Sequence, residues 1–474
     1  MDRQPVSSLT EAQLNLVREH YENSPRITTQ AFEYRRMLAG YYNLLIPSMS
    51  SVLEIGCGAG DLLSLLNARE RSGIDVSEVQ VRQAKEKLPE SEFYVQAGET
   101  LDLPGRYFDY LILSETANLA ADIQQIFQSL QSVSHQDTRL IINVYNILWR
   151  PLIWLATQFR WRNHQPESNW LSKVDIAGVL HLSGWELIRS ESRILCPIRL
   201  LGLEKFINRF LAPLFPSLCL SLFLVARPAP QQPGRKQSVS VVIPARNEAG
   251  NIAAAVARTP EMGSWTELIF VEGNSTDNTW ETIQKVKERN PNRRIKIMQQ
   301  SGKGKGNAVR DGFAVAEGEL LMILDADLTV PPEELPKFYE AVVSGRCEFC
   351  NGSRLVYPMD EKAMQFLNLG ANKAFALLFS WLLGQPVKDT LCGTKVLTKA
   401  NYQKIAENRS YFGDFDPFGD FDLLFGASKL NLKIQDLPIR YRERVYGETN
   451  IQRWKHGWLL LEMLIFAANK LKFV

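Results

Sequence analysis

A chain of 474 residues has room for two or three domains, each long enough to bury its own core. With 45% hydrophobic and 22% charged residues it has the composition of a folded globular protein, with no excess of the fibrous or disordered kind. A formal net charge of +2 gives no case for nucleic acid, and no such partner is expected.

Six cysteines without paired spacing exclude a disulfide framework. Cys347 and Cys350 make a single C-x-x-C, which reads as a buried strand rather than a zinc site, and free thiols fit the cytosol. The start Met1-Asp2-Arg3-Gln4-Pro5 lacks the apolar run of a signal peptide. No window reaches about 18 uninterrupted apolar residues, so no membrane span is predicted. The nearest cases are residues 210–226, broken by Pro213 and Pro216, and residues 458–468, which carry Glu462. Both read as core elements, and the second also suits a membrane interface. The expected location is cytoplasmic, with peripheral contact at the inner membrane face left open.

In chain order, Ser51-Val-Leu-Glu-Ile reads as a buried strand running into Gly56-Cys-Gly-Ala-Gly60, with a helix beginning over residues 61–66. Glycines there let the backbone approach a ligand where a Cβ would collide. The next strand, residues 72–76, ends in Asp75, fifteen residues after Gly60. A carboxylate at that strand tip suits a bidentate bond to two ribose hydroxyls. Three readings compete: NAD, a structural turn without ligand, and S-adenosylmethionine. The spacing G-x-G-x-G, with Asp61 next, departs from the G-x-G-x-x-G fingerprint and disfavours NAD.

The run Glu54-x-Gly56-x-Gly58-x-Gly60, with a strand ending in Asp75, resembles motifs I and II of the class I S-adenosylmethionine-dependent methyltransferases. Gln96-Ala-Gly98-Glu99 stands where that family places a polar loop beside the adenine. Residues 106–114 are similar to its fourth strand and residues 140–144 to its fifth, with Ser183-Gly-Trp185 and residues 218–226 in its last helix–strand region. The likeness covers roughly residues 30–226. It implies a Rossmann-like α/β sandwich that binds S-adenosylmethionine through Glu54, Gly56, Gly58, Gly60, Asp75, Gly98 and Glu99. It implies direct displacement at a sulfonium methyl, which works largely by placing the acceptor in line. No catalytic side chain stands out, because His135, His164 and His181 are isolated. Trp149, Trp154, Trp161 and Trp170, with Arg150, Arg160 and Arg162, form an aromatic and basic insert after strand five. In this fold that region commonly covers the acceptor, and an amphipathic packing helix explains it equally well.

Residues 227–236 hold three prolines, a glycine and no bulky apolar residue, and read as a connector. The expected division is a methyltransferase domain at 1–227, a linker at 228–237 and a second α/β domain at 238–474.

That domain opens with Val239-Ser-Val-Val-Ile-Pro244-Ala-Arg246-Asn-Glu248, a strand ending in a polar turn, and is helical from Asn251. Residues 267–272 read as a second strand, and Asp277 in the following loop suits a helix cap. The third strand, residues 318–327, ends in Asp325-Ala326-Asp327. The two aspartates stand two residues apart at the strand's end, where a strand sets them on one face, and the backbone is expected to turn there. Carboxylates in such a turn hold a hard cation, magnesium or manganese, against a pyrophosphate.

Several motifs follow in order: Ile243-Pro-Ala-Arg-Asn-Glu248, Val271-Glu-Gly-Asn-Ser-Thr-Asp277, Gly302-Lys-Gly-Lys-Gly-Asn-Ala308, Asp325-Ala-Asp327, Gly352-Ser-Arg354, Asp389 with Cys392-Gly-Thr-Lys395, and Arg444-x-x-Gly-x-Thr449. Together, over roughly residues 238–455, they resemble glycosyltransferase family 2 with its GT-A fold, and within it the dolichyl- and polyprenyl-phosphate sugar synthases. The glycine–lysine loop is not a Walker A motif, since it lacks G-x-x-x-x-G-K-[ST]. The resemblance implies a UDP- or GDP-sugar donor. Pro244, Arg246 and Glu248 would line the nucleoside. Glu272 stands at the first Asp of the family's Asp-Asp pair, and Gly273 replaces the second. Lys303 and Lys305 would lie near the nucleotide, and Asp325, Ala326 and Asp327 at the diphosphate, with Asp325 and Asp327 on the metal. Arg354, Lys395 and Arg444 would sit near the phosphates or the acceptor. Asp420 and Asp422 stand where many members place the general base.

The family normally inverts the anomeric centre in one displacement. A sugar hydroxyl as acceptor needs a carboxylate to take its proton. A lipid phosphate needs cations instead. The lipid-phosphate enzymes carry Arg-x-x-Gly-x-Ser-Lys, and here Asn450 stands at the lysine, with Arg453 and Lys455 nearby. The acceptor is therefore open between a glycan, a glycolipid and a lipid phosphate. The whole reads as a bifunctional methyltransferase and glycosyltransferase. The alternative is a glycosyltransferase whose N-terminal half only binds S-adenosylmethionine or substrate.

Overall fold

The structure, a computed structural model, describes residues 8–23, 29–159, 165–166, 169–230, 235–354, 356, 366–411, 421–442, 444, 446 and 453–474. It forms two compact α/β units, residues 1–229 with 472–474, and residues 230–471.

The first unit is built on β1 (Ser51–Ile55), β2 (Glu70–Asp75), β3 (Glu92–Val95), β4 (Tyr110–Ser114), β5 (Arg139–Tyr145), β6 (Trp185–Arg193) and β7 (Ser221–Pro228). Their order in the sheet is β3-β2-β1-β4-β5-β7-β6. The first five run parallel, and β7 is antiparallel to both β5 and β6. Every residue of β1, β4 and β5 is buried, as expected of parallel strands covered on both faces. Leu53, Ile55, Leu111, Ile142, Phe127 and Trp185 centre its core. Strand order reverses between β1 and β4, which opens a crevice beyond their carboxyl ends. Helix Ser8–Glu22 reaches the loop after β2: Arg18 Nε donates to the Val76 carbonyl at 3.2 Å, and Gln80 Nε2 donates back to the Tyr21 carbonyl at 3.1 Å.

Three expectations change here. Residues 61–66 make a single 3₁₀ turn, Leu63–Leu65, instead of a longer helix. Asn43 ends it, since its Nδ2 donates to the Leu65 carbonyl and its Oδ1 accepts the Asn67 N–H. The proposed connector begins inside β7, where Arg227 bonds Glu186 Oε2 through Nε at 2.9 Å and NH2 at 2.7 Å. Residues 231–234 of it lie outside the described residues. Residues 210–226 are not one core element. Strand β7 is buried, but Phe210, Leu214, Phe215 and Leu218 are exposed. Pro213 and Pro216 break the segment into short turns that cannot bury one continuous face.

The second unit is built on β8 (Val239–Ala245), β9 (Thr266–Glu272), β10 (Arg294–Gln299), β11 (Leu320–Ile323), β12 (Phe349–Ser353), β13 (Lys395–Thr398) and β14 (Ile434–Pro438). Their order is β10-β9-β8-β11-β13-β12-β14. The first four are parallel, β13 is antiparallel to both neighbours, and β12 pairs parallel with β14. Order reverses between β8 and β11, so Glu248 and Asp325 follow the two strands that flank the crevice. The reading of Cys347 and Cys350 as free thiols on one strand is corrected. The strand starts only at Phe349, and the two cysteines are joined as a disulfide across the bend before it. In an extended strand residues three apart face opposite ways, and the bend removes that constraint. No described helix is long and apolar enough to cross a membrane.

Candidate active sites

The crevice of the first unit is lined by the loop after β1. Gly56, Gly58 and Gly60 have φ of +73°, +53° and +71°, which side chains with a Cβ rarely adopt. A Cβ on Gly56 would also lie 2.7 Å from Thr116 Oγ1. Asp75, at the end of β2, accepts the Gly58 N–H at 2.8 Å and the Ser77 N–H at 2.9 Å, so it ties the glycine loop to the second strand. Two of its lone-pair sites are thereby used and others remain. Burial raises its carboxyl above the usual range, against the pull of those two N–H groups.

Glu54 is fully buried, and neither of its carboxylate oxygens meets a hydrogen-bonding group among the described residues. Burial pushes its carboxyl up to about 8 against the pull of the Arg35 guanidinium, with Asp75 and Asp61 adding to the rise. An orphaned carboxylate beside a glycine cradle fits a ligand that carries an ammonium group. Gly98 is required by close approach, since a Cβ there would lie 2.8 Å from Ile55 Cγ2. Glu99 Oε1 accepts the Ala121 and Asp122 N–H groups, at 3.0 and 3.3 Å, and stabilises that loop.

Motif reading missed Tyr34, Arg35, Glu115 and Asn143. Tyr34 and Arg35 lie on helix Thr29–Leu45, before the first strand, where no motif points. Tyr34 shares a 2.8 Å hydrogen bond with Ser221 Oγ. Glu115 follows β4 with φ of +63°, a strained backbone for a residue with a Cβ. Its Oε1, like both polar side-chain atoms of fully buried Asn143, meets no described partner. The signal for Asn143 was present: it is a polar residue inside the apolar run Leu-Ile-Ile-Asn-Val.

In the second unit the loops after β8 and β9 are stitched together. Asn247 accepts the Thr276 N–H at 2.8 Å and donates its own N–H to Ser275 Oγ at 3.0 Å. Glu272 accepts the Ser275 N–H, and a Cβ on Gly273 would lie 3.2 Å from that of Arg246. The Arg246 side chain thus leaves little room for a larger residue there. Pro244 is the penultimate residue of β8, and Arg246 is exposed just beyond the strand.

The chain turns after β11, with Leu328 at φ of +53°, and presents both aspartates to one crevice. Asp325 meets Lys305 Nζ at 2.7 Å. Burial pushes its carboxyl up, but Lys305, with Lys395 and Arg354, holds it below the usual range. Asp327 Oδ1 accepts the Thr329 N–H and hydroxyl, and its Oδ2 meets Arg444 NH2 at 2.6 Å. Arg444 also reaches Glu248 at 3.3 Å. Burial raises the Glu248 carboxyl, with Asp327 and Asp325 adding, against Asn251 and Arg444. Asp325, Asp327 and Glu248 thus make an acidic ledge that Lys305 and Arg444 pair with. Buried Lys395 bonds the Cys392 carbonyl, and a Cβ on Gly393 would collide with both Asp325 and Lys305. Arg354 forks onto Asp389, Nε to Oδ2 at 2.7 Å and NH2 to Oδ1 at 2.9 Å. Ala326 is buried between the aspartates, and Lys303 is exposed on the glycine–lysine loop.

Residues 240–396 match the glycosyl transferase family 2, and residues 47–178 match a methyltransferase domain. The chain joins a methyltransferase domain to a family 2 glycosyltransferase domain. The glycosyltransferase domain is 40% identical over 108 residues to the dolichol-phosphate mannosyltransferase of Saccharomyces cerevisiae, across 22% of this chain and 40% of that protein. It is 28% identical over 236 residues to the low-salt glycan biosynthesis hexosyltransferase Agl6 of Haloferax volcanii, across 49% of this chain and 54% of that protein. The chain therefore spans less than two thirds of either relative. Over the methyltransferase domain, the structure of a SAM-dependent methyltransferase from Thermotoga maritima, a possible histamine N-methyltransferase, covers 46% of this chain and 99% of its own, at 15% identity and a TM-score of 0.33.

In the glycosyltransferase domain the two acids expected to act as base differ in what is seen. Asp420 lies outside the described residues, as do Gly447, Thr449 and Asn450 and the side chains of Arg453 and Lys455. Asp422 lies in the first turn of helix Phe421–Lys429, is buried, and pairs with Arg409 Nε at 2.8 Å. Removing one partner of a buried pair leaves an uncompensated charge. Asp422→Ala is expected to lower the domain's stability by about 3 kcal/mol, read by urea unfolding. A fall in sugar transfer with unchanged unfolding would instead assign Asp422 to the chemistry.

Proposed function

We propose that the chain is a bifunctional enzyme that transfers a sugar from a nucleotide-sugar to a lipid phosphate and a methyl group from S-adenosylmethionine to an acceptor of the same pathway. The observation that carries the sugar-transfer reading is the acidic ledge of Asp325, Asp327 and Glu248 closed by Lys305 and Arg444. Two carboxylates on one turn suit a single hard cation, with the donor's diphosphate completing its shell. Magnesium or manganese bound there would neutralise the leaving diphosphate. Lys305 and Arg444, released from Asp325 and Asp327, would turn to the phosphate oxygens. The acceptor oxygen would attack the anomeric carbon as the bond to the diphosphate breaks, inverting that centre. The wealth of cations, with Asp422 held by Arg409, favours an acceptor that arrives as an anion and needs no base. The mannosyltransferase relative, named for dolichol phosphate, supports the same choice.

In the methyltransferase domain, bound S-adenosylmethionine would supply an electrophilic methyl on its sulfonium. Glu54 would hold the ammonium end of that ligand and Asp75 its ribose hydroxyls. Glu115 and Asn143, at the carboxyl ends of β4 and β5, are placed to position the acceptor.

A panel of UDP- and GDP-sugars, each with magnesium or manganese, tests the first activity by thermal shift and by transfer to polyprenyl phosphate. One sugar nucleotide is expected to raise the transition only with metal present. No shift with any of them sinks the reading. Calorimetric titration with S-adenosylmethionine, with Asp75→Ala as control, tests the second.

A further inference from the structure

The methyltransferase domain carries an apolar surface that its own core does not use. No residue of helix Arg150–Gln158 is buried, although Leu152, Trp154 and Leu155 are large and apolar, and Phe159 follows them. A helix that packs on a core buries one stripe. The end of segment 198–218 is tied to the turn before this helix by the Trp149 indole N–H, which donates to the Leu218 carbonyl at 2.8 Å, and by Asn146 Nδ2, which donates to the Ser217 carbonyl at 3.0 Å. On that segment Ile198, Leu200, Leu203, Phe206, Leu214 and Phe215 are also exposed.

Leu201 is the sharpest case. It is fully exposed and stands at φ of +51°, a backbone region that disfavours residues with a Cβ. Glu204 fixes this turn, because its Oε2 accepts the Leu200 N–H at 2.8 Å and the Gly202 N–H at 2.9 Å. A built turn therefore holds a bare leucine outward. Glycine could occupy that position without strain and without apolar exposure.

The charges choose the partner. Across residues 147–159 and 198–218 the charged residues are Arg150, Arg199, Lys205, Arg209 and Glu204. The four cations are exposed, whereas Glu204 is buried in its own turn. Arg199 approaches Glu33 only at 3.8 Å, and Arg209 lies over the Phe210 ring at 5.5 Å. Apolar and aromatic side chains rimmed by arginine and lysine match the acyl–headgroup boundary of an anionic bilayer. We infer that this face of the methyltransferase domain, centred on Trp154 and Leu201, docks the chain onto an anionic lipid surface. The inference does not rest on the sugar-transfer reading.

Flotation of the full chain with vesicles tests it. Binding to phosphatidylcholine vesicles containing phosphatidylglycerol is expected, with much weaker binding to phosphatidylcholine alone. Trp154→Glu combined with Leu201→Glu should abolish flotation. Arg150→Gln, Arg199→Gln and Arg209→Gln together should weaken it about a hundredfold, roughly fivefold for each surface cation. All of these positions are exposed, so thermal unfolding should not change, and the arginine variants keep the test valid should the glutamates disturb the fold. Trp458→Glu, on the exposed side of helix Arg453–Leu471, is the comparison. Flotation that survives in the Trp154 and Leu201 variant, or is lost only in the Trp458 variant, overturns the inference. So does a wild-type chain that self-associates in the ultracentrifuge and never floats.

Discussion

Asp327→Ala is expected to lower sugar transfer by about a thousandfold, the scale for removing a group that stabilises charge in the transition state, and to erase the metal-dependent thermal shift. The carboxylate of Asp327 is divided between two roles. Its Oδ1 is held by the Thr329 N–H and hydroxyl, which orients the group, and its Oδ2 faces Arg444. Alanine removes both and leaves Arg444 with Glu248 alone on this ledge. Asp327→Asn separates them, because an amide oxygen still accepts from Thr329 but brings no charge. The asparagine variant should unfold normally yet lose the shift with magnesium or manganese. Asp325→Asn should behave alike and also break the ion pair with Lys305, so the KM for the sugar nucleotide should rise along with the loss of kcat. A full metal-dependent shift in Asp327→Asn would move the metal elsewhere.

That pair of aspartates was legible because two acids at i and i+2 closing an apolar run fall on one side of a strand's end, and the chain then turns, with Leu328 at φ of +53°. The glycine loop was legible for a similar reason: Gly56, Gly58 and Gly60 all need positive φ, and sequence can signal that directly. What stayed hidden depends on contacts between distant segments. Asp422 looked available until Arg409, thirteen residues earlier, was found against it. That Glu99 Oε1 accepts the Ala121 and Asp122 amides could not be read from its motif. The apolar run around Phe210 looked like core because hydrophobicity alone does not say which face a chain broken by Pro213 and Pro216 presents. The α/β layering of both halves follows from strand–loop–helix order and the two particular folds from the motif resemblances, whereas the partners of buried charges follow from tertiary packing.

Glu54 carries the second large effect, and its sign is fixed by the direction of its shift. Its carboxyl titrates near 8 in the fold against an ordinary value of 4.5, because burial opposes its charge more than Arg35 supports it. A group raised in this way stabilises the fold fully below about pH 4.5, and that contribution is lost as pH rises through about 8. The unliganded methyltransferase domain should therefore melt at progressively lower temperature from pH 5 to pH 8, and Glu54→Gln, isosteric with the protonated acid, should flatten that slope. An ammonium-bearing ligand reverses the preference, because its positive charge favours ionised Glu54 and binding must then expel the proton. Titration with S-adenosylmethionine at pH 7, in buffers of differing ionisation enthalpy, should thus show close to one proton released per ligand in the wild type and none in Glu54→Gln. Affinity in that variant should fall about a hundredfold, the scale of a charge-assisted hydrogen bond within a protein. A sloping stability curve without proton release would show that Glu54 titrates but faces no ligand cation. Proton release that persists in the glutamine variant would assign the titrating group to Asp75, whose carboxyl is also raised by burial and which accepts the Gly58 N–H of the same loop.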